Sequence, residues 1–137
     1  MATNVFGAIE ELFAGDSALA ASCPGKLWTK FAPETVSQPY CVLTPERTQV
    51  EFTTGTSYRE KQEYQLSVFG KDGASVYTAM RDIEKAFDWI ALPLTGTDTH
   101  MASRRTNRVG PFPEEEDEHS PAWRGIIEYE VMVQRSL

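Results

Sequence analysis

Cysteine and histidine are scarce in this 137-residue chain, with two of each. Cys23 and Cys41 form no Cys-x-x-Cys pair, so neither a zinc ribbon nor a dithiol redox motif can be written from them. Without an export signal a disulfide is not expected, and both are read as thiols in apolar surroundings. His100 and His119 fall in neither an HxxxH nor an HExxH spacing, so a metal site built on them would need carboxylate partners from elsewhere. Long apolar runs are also missing. None is longer than Trp89 to Leu92, far below the roughly 20 residues that a membrane-spanning helix needs. The Met-Ala-Thr-Asn start lacks a basic segment followed by an apolar stretch, so no secretory signal is read and synthesis in the cytoplasm is expected.

An excess of positive charge is absent too. Thirteen Lys and Arg against twenty Asp and Glu leave −7, the wrong sign for a protein that binds nucleic acid by neutralising phosphates. The acidity is local: Glu114, Glu115, Glu116, Asp117 and Glu118 form one run, and without them the net charge is only −2. No GxGxxG, GxxxxGK[ST] or GxSxG occurs, so phosphate cradling and the hydrolase nucleophile elbow have no sequence support. The acidic run gives all its carboxyls one solvated environment, whereas acid–base catalysis needs two different ones. It also lacks the spaced Asp, Asn and Gly of a calcium loop. No cofactor is expected.

What is present is a succession of amphipathic elements. Val5, Ile9, Leu12 and Phe13 recur at helical spacing after a capping Thr3 or Asn4 and predict an opening helix ending at Gly15. Asp16 or Ser17 can cap a short helical turn that Pro24 and Gly25 end. Leu27, Trp28 and Phe31 read as packing anchors. Tyr40 to Leu43 reads as a short strand between Pro39 and Pro45, with Gln49 to Thr53 as its continuation or a separate arm. Tyr58, Tyr64, Leu66 and Val68 alternate with Arg59, Lys61, Glu63, Gln65 and Ser67, the period of a half-buried strand.

Asp72 or Ser75 then caps the strongest helix, with Val76, Ala79, Met80, Ile83, Ala86, Phe87 and Ile90 on one face. Arg81, Asp82, Glu84, Lys85 and Asp88 are predicted to face away. His100 to Val109 is polar yet strand-like, and Gly110 to Pro121 reads as a linker. Ile127, Tyr129, Val131 and Val133 alternate with Glu128, Glu130, Met132 and Gln134 in a final strand. The pattern predicts one α+β domain over residues 1–137: a mostly antiparallel β-sheet, with an N-terminal helix and a central amphipathic helix packed on one face. An acidic, Pro-rich loop lies at about 110–121. Arg104, Arg105 and Arg108 precede the acidic run closely, so the two blocks either pair within one hairpin or lie at a subunit interface or channel.

The layout resembles the tail-terminator or tail-completion (neck) proteins of long-tailed bacteriophages. The likeness lies in the N-terminal helix, the Pro39-Tyr40-Cys41-Val42 lead into a strand, and the alternating strand from Tyr64 to Phe69. It continues through the Asp72-Gly73-Ala74 start of a helix ending near Ile90 and the last strand pair with its irregular loop. The resemblance implies a non-enzymatic virion subunit, assembled in the host cytoplasm. Such a subunit forms a ring, in the family's manner a hexamer, with other copies of itself at the head-proximal end of the tail. There it stops polymerisation of the tail tube protein and meets the head–tail connector or adaptor, while DNA passes through the channel without specific binding and no membrane is involved. Two alternatives stand beside it: a head-completion or connector-adaptor protein of the same neck, and a small α+β enzyme or ligand-binding domain with a pocket between helix and sheet.

Overall fold

The computed structural model describes residues 5–29, 32, 36–52, 57–90, 92, 99–113 and 123–136. Alternation over the long strands and a 3.6-residue stripe over the central helix produce the expected α+β architecture. Among the described residues, three helices, α1 (Val5–Gly15), α2 (Ser17–Ser22) and α3 (Gly73–Phe87), form a layer with a five-stranded sheet, α2 resting on the other two helices. The strands are β1 (Leu27–Trp28), β2 (Tyr40–Phe52), β3 (Ser57–Gly70), β4 (Thr99–Pro113) and β5 (Trp123–Ser136), in the spatial order β1-β2-β3-β5-β4. Among the described residues, only β1 runs parallel to its neighbour, and the other pairings are antiparallel.

Register explains the core. Leu43 lies opposite Leu66 and Leu66 opposite Ile127, while Tyr64 lies opposite Tyr129, so the inward residues of three strands form continuous rows. With Val68, Val131 and Val133 they are fully buried beneath α3, which contributes Val76, Ala79, Met80, Ile83 and Phe87. Tyr64 and Tyr129 stack with ring centres 5.5 Å apart, and Phe87 tilts onto Tyr129 at 6.0 Å. The N-terminal helix supplies Val5, Ala8, Ile9 and Phe13 to the same core. The caps are those the sequence offers: Asp16 accepts from Leu19 N and Asp72 accepts from Ser75 N, each satisfying an orphan donor of a first turn. The amide of Ser75 holds the Asp72 carboxyl below its usual range.

Several expectations are corrected. Leu27 and Trp28 form an edge strand against Cys41 and Val42, a pairing too short to leave a periodic signal. Of the two readings of the Gln49 segment, the continuation holds: β2 runs on through Phe52, because a bulge between Pro45 and Arg47 absorbs the irregularity and pairing resumes at Glu63. The last turn of α3 ends at Phe87, leaving Ile90 38% exposed instead of on the apolar stripe. Gly110 to Pro113 belong to β4 and not to a linker. Gly110 sits at φ +89°, where a Cβ would come 2.9 Å from Arg124 O, so only glycine fits this kink. Phe31, His119 and the acidic run lie outside the described residues.

Gly125 on β5 marks a close approach of helix and sheet, since a Cβ there would run into Met80 Sδ. Gly125→Ala is therefore expected to lower stability by about 1–3 kcal/mol in urea unfolding through overpacking, and by much less in a Met80→Ala background. Cys23 and Cys41 are free and buried, as expected. Burial pushes the Cys23 thiol up from 9.0 to about 12 and that of Cys41 well above its usual value. The unfolded chain releases these protons from about pH 9 while the folded chain retains them. Their contribution is thus complete below pH 9 and lost as the pH rises toward 12. Urea unfolding across that range should show the decline, and a Cys23→Ala/Cys41→Ala variant should flatten its first part.

Candidate functional site

The three arginines singled out in the sequence all lie on β4, but they do not share a face. In an unbroken strand Arg105 and Arg108, an odd number of residues apart, would point to opposite sides of the sheet. A register shift between Arg105 and Asn107 reverses the alternation, so Arg105 stands opposite Tyr129 and Arg108 opposite Ile127, both on the helix-covered face. Arg104 stands opposite Glu130 on the open face.

Beneath the two inward arginines lies Glu84 of α3. The sequence places Glu84 on the outer side of the helix; the structure buries it, with 8% of its side chain exposed, because two cations of β4 converge on it. Arg105 Nη1 binds Glu84 Oε2, and Arg108 Nε lies against Oε1 as an ion pair without the alignment of a hydrogen bond. Arg105 Nη2 also lies 3.5 Å from Asp88 Oδ2, and Asp88 Oδ1 accepts from the Tyr129 hydroxyl at 2.7 Å. Burial opposes the charge on Arg105, but the bond to Glu84 and the charges of Glu84 and Asp88 outweigh it and hold its guanidinium above the ordinary value. Burial, followed by the contact with Asp88, holds the Tyr129 phenol protonated far past its usual range. Arg108 covers the ring of Tyr77 at 5.2 Å, which extends the cluster to the surface.

Arg104 makes a looser contact, 3.6 Å to Glu130 Oε2, with 58% of its side chain exposed. The open face around it carries Lys61, Glu63 and Glu128; Arg124 stacks over Phe69, which in turn stacks on Tyr40. On β2, Glu46 shares this face, and burial followed by the charges of Glu128 and Glu63 raises its pKa. Glu114, Glu115, Glu116, Asp117 and Glu118 lie outside the described residues.

A cavity of about 490 Å³ opens between α1, α2 and β1 and is lined by Phe13, Leu19, Cys23, Leu27 and Trp28. Glu10 and Lys26 stand at it, and its one thiol, Cys23, is held protonated, the opposite of an activated nucleophile. Among the described residues no group of His, Cys, Asp and Glu is placed to hold a metal ion, and no helix is long and apolar enough to cross a membrane.

The fold has a counterpart. This chain is similar to a chain in the virion of a native gene transfer agent (GTA) particle, with a TM-score of 0.71 and 14% sequence identity. The match covers 96% of this chain and 93% of that one, so the likeness runs nearly end to end. No protein-family model matches the sequence, and no curated protein matches it significantly.

Nothing in the sequence marked Glu84 as special, since its position on the helical wheel is polar. Only the bulge, which depends on the pairing of β4 with β5, turns two arginines toward it. Replacing Glu84 by Gln should cost about 1.5–3 kcal/mol in urea unfolding, the scale of a hydrogen bond to a charged group. The loss stays below that of a fully enclosed pair because Arg105 and Arg108 are 35% and 30% exposed. Arg105→Ala combined with Glu84→Gln should cost clearly less than the sum of the two; full additivity would show that the cluster does not act as a unit.

Proposed function

We propose that the chain is a structural subunit of a phage-like virion, and within that particle the tail terminator: a ring, in the family's manner a hexamer, that ends the tail tube and joins it to the head connector. The observation that supports the reading most is the near end-to-end likeness of fold to a GTA virion chain. The resemblance in element order and helix start points the same way. Rings close through heterologous contacts, in which two different surfaces of each copy meet, and a sheet with two dissimilar edges offers such a pair. The net charge of −7 suits a subunit beside passing DNA, because like charge keeps the phosphates from adhering. Arg104, Arg108 and the acidic run from Glu114 to Glu118 remain the proposed subunit or channel-facing groups. Arg105 belongs to that set through the surface it shares with Arg108.

The charged cluster under β4 fits a structural role better than a catalytic one. Every carboxylate in it is met by a guanidinium or a phenol. Deleting the gene and imaging the resulting particles tests the reading. Full heads beside overlong or unjoined tubes are the expected result. Finished tails beside emptied heads would instead move the protein to the head side of the neck, and normal particles would overturn a virion role.

A further inference from the structure

We propose that the arginine stripe between α3 and β4 holds the acidic run Glu114 to Glu118 of a neighbouring copy, an inference that rests on the ring reading and names one contact within it. Glu84 is met by three guanidiniums: those of Arg105 and Arg108 from β4, and that of Arg81 on its own helix, with Nη1 at 4.0 Å. Tyr77, Arg81, Glu84 and Asp88 follow one another at steps of three and four, so they share the side of α3 that meets β4. Along this stripe three positive charges stand against the two negative ones of Glu84 and Asp88. Asp82 and Lys85, on the adjoining stripe of the helix, cancel each other. Arg104 faces the other side of the sheet and takes no part.

The excess charge is presented outward. Glu84 keeps 8% of its side chain exposed, whereas Arg81 keeps 52%, Arg105 35% and Arg108 30%, so the carboxylate lies beneath and the guanidiniums form the rim. Arg108 Nη2 has no hydrogen-bond partner among the described residues, and one carboxylate has too few lone pairs for the donors of three arginines. Tyr77, 46% exposed, lies under Arg108. Arginines held in place beside a half-exposed tyrosine have the composition of a contact surface for carboxylates.

The occupant follows from charge and from reach. Five consecutive acids, Glu114 to Glu118, are the complement of this surface within the sequence. They follow Pro113, which pairs with Trp123, and the Trp123 ring packs on Gly73 at the start of α3. Glu84 lies eleven residues further along the helix, about 16 Å at ~1.5 Å each. A connection tied at Pro113 and Trp123 carries its middle residue, Glu118, at most about 17 Å from that end, and the other four acids less. Within one chain the run thus reaches the point where the arginines meet only at its tip, and only when pulled straight, at a high cost in chain entropy. A neighbouring copy presents the run without that constraint. Such a contact joins two different surfaces, the head-to-tail kind that closes rings.

A charge swap tests the contact and separates a neighbour's run from the chain's own. Arg81→Glu reverses charge in the stripe at a half-exposed residue whose ion pair is long, so its thermal midpoint should fall only slightly. Glu115→Lys combined with Asp117→Lys reverses the run. Each variant alone should weaken self-association of the full chain by about tenfold or more in sedimentation velocity, and should lower the yield of joined particles when it replaces the parent in producing cells. Mixed one to one, the two variants should regain both, because every reversed stripe then meets a reversed run and every parent stripe a parent run. A chain carrying all three substitutions that assembles while the mixture does not would put the run on its own stripe and overturn the contact between copies. Variants that associate like the parent, even if joined particles are lost, would also overturn it, and in either case the ring reading stands. Absence of any chain-to-chain contact of the parent, in solution and in particles, would overturn both.

Discussion

Glu84 is a carboxylate drawn out of water by its place on α3, and a buried negative charge is tolerated only where cations meet it. Arg105 and Arg108 do so from β4. That requirement explains the bulge at Thr106, which turns both arginines inward, and it ties an edge strand to the helical layer as well as to β5. Asp88 and Tyr129 extend the same network to the end of α3, and the Trp89 turn then bonds directly to Ser103. The outer edge of the sheet is thus located by charge and hydrogen bonds, whereas its centre is located by apolar rows. Buried ion clusters of this kind add little net stability relative to well-packed apolar groups; the use that fits here is to fix one register of β4.

The parts legible in the sequence are those governed by a single period. Strand β5 alternates without interruption from Ile127 to Val133 and α3 keeps its stripe from Val76 to Phe87, so both were readable from spacing alone. The capping roles of Asp16 and Asp72 follow from local chemistry and were readable for the same reason. What escaped depends on partners distant in the chain. Strand β1 exists because Leu27 meets Cys41, and β4 carries three register shifts that scramble its alternation. Glu84 looked like a solvent-facing helix residue because its partners come from another strand, reversed by a bulge that no local pattern announces. Trp89 looked like part of an apolar run, although it faces water.

The two sheet edges differ in a way that bears on assembly. Strand β4 is long, bulged and lined with arginines, features that keep an exposed edge from pairing indiscriminately. Strand β1 is two residues long and lies beside an apolar groove. One edge therefore presents a projecting aromatic and charge, and the other presents a concavity. A chain with such unlike edges suits the proposed ring, and its open sheet face carries mixed charges around Lys61, Glu63 and Glu130.

Cryo-electron microscopy of intact particles that carry this chain tests the account most directly. The account predicts a closed ring of copies of this five-stranded fold at the head-proximal end of the tail, each copy meeting the next through two different surfaces. Density for the chain elsewhere in the particle, or a particle complete without it, would contradict it.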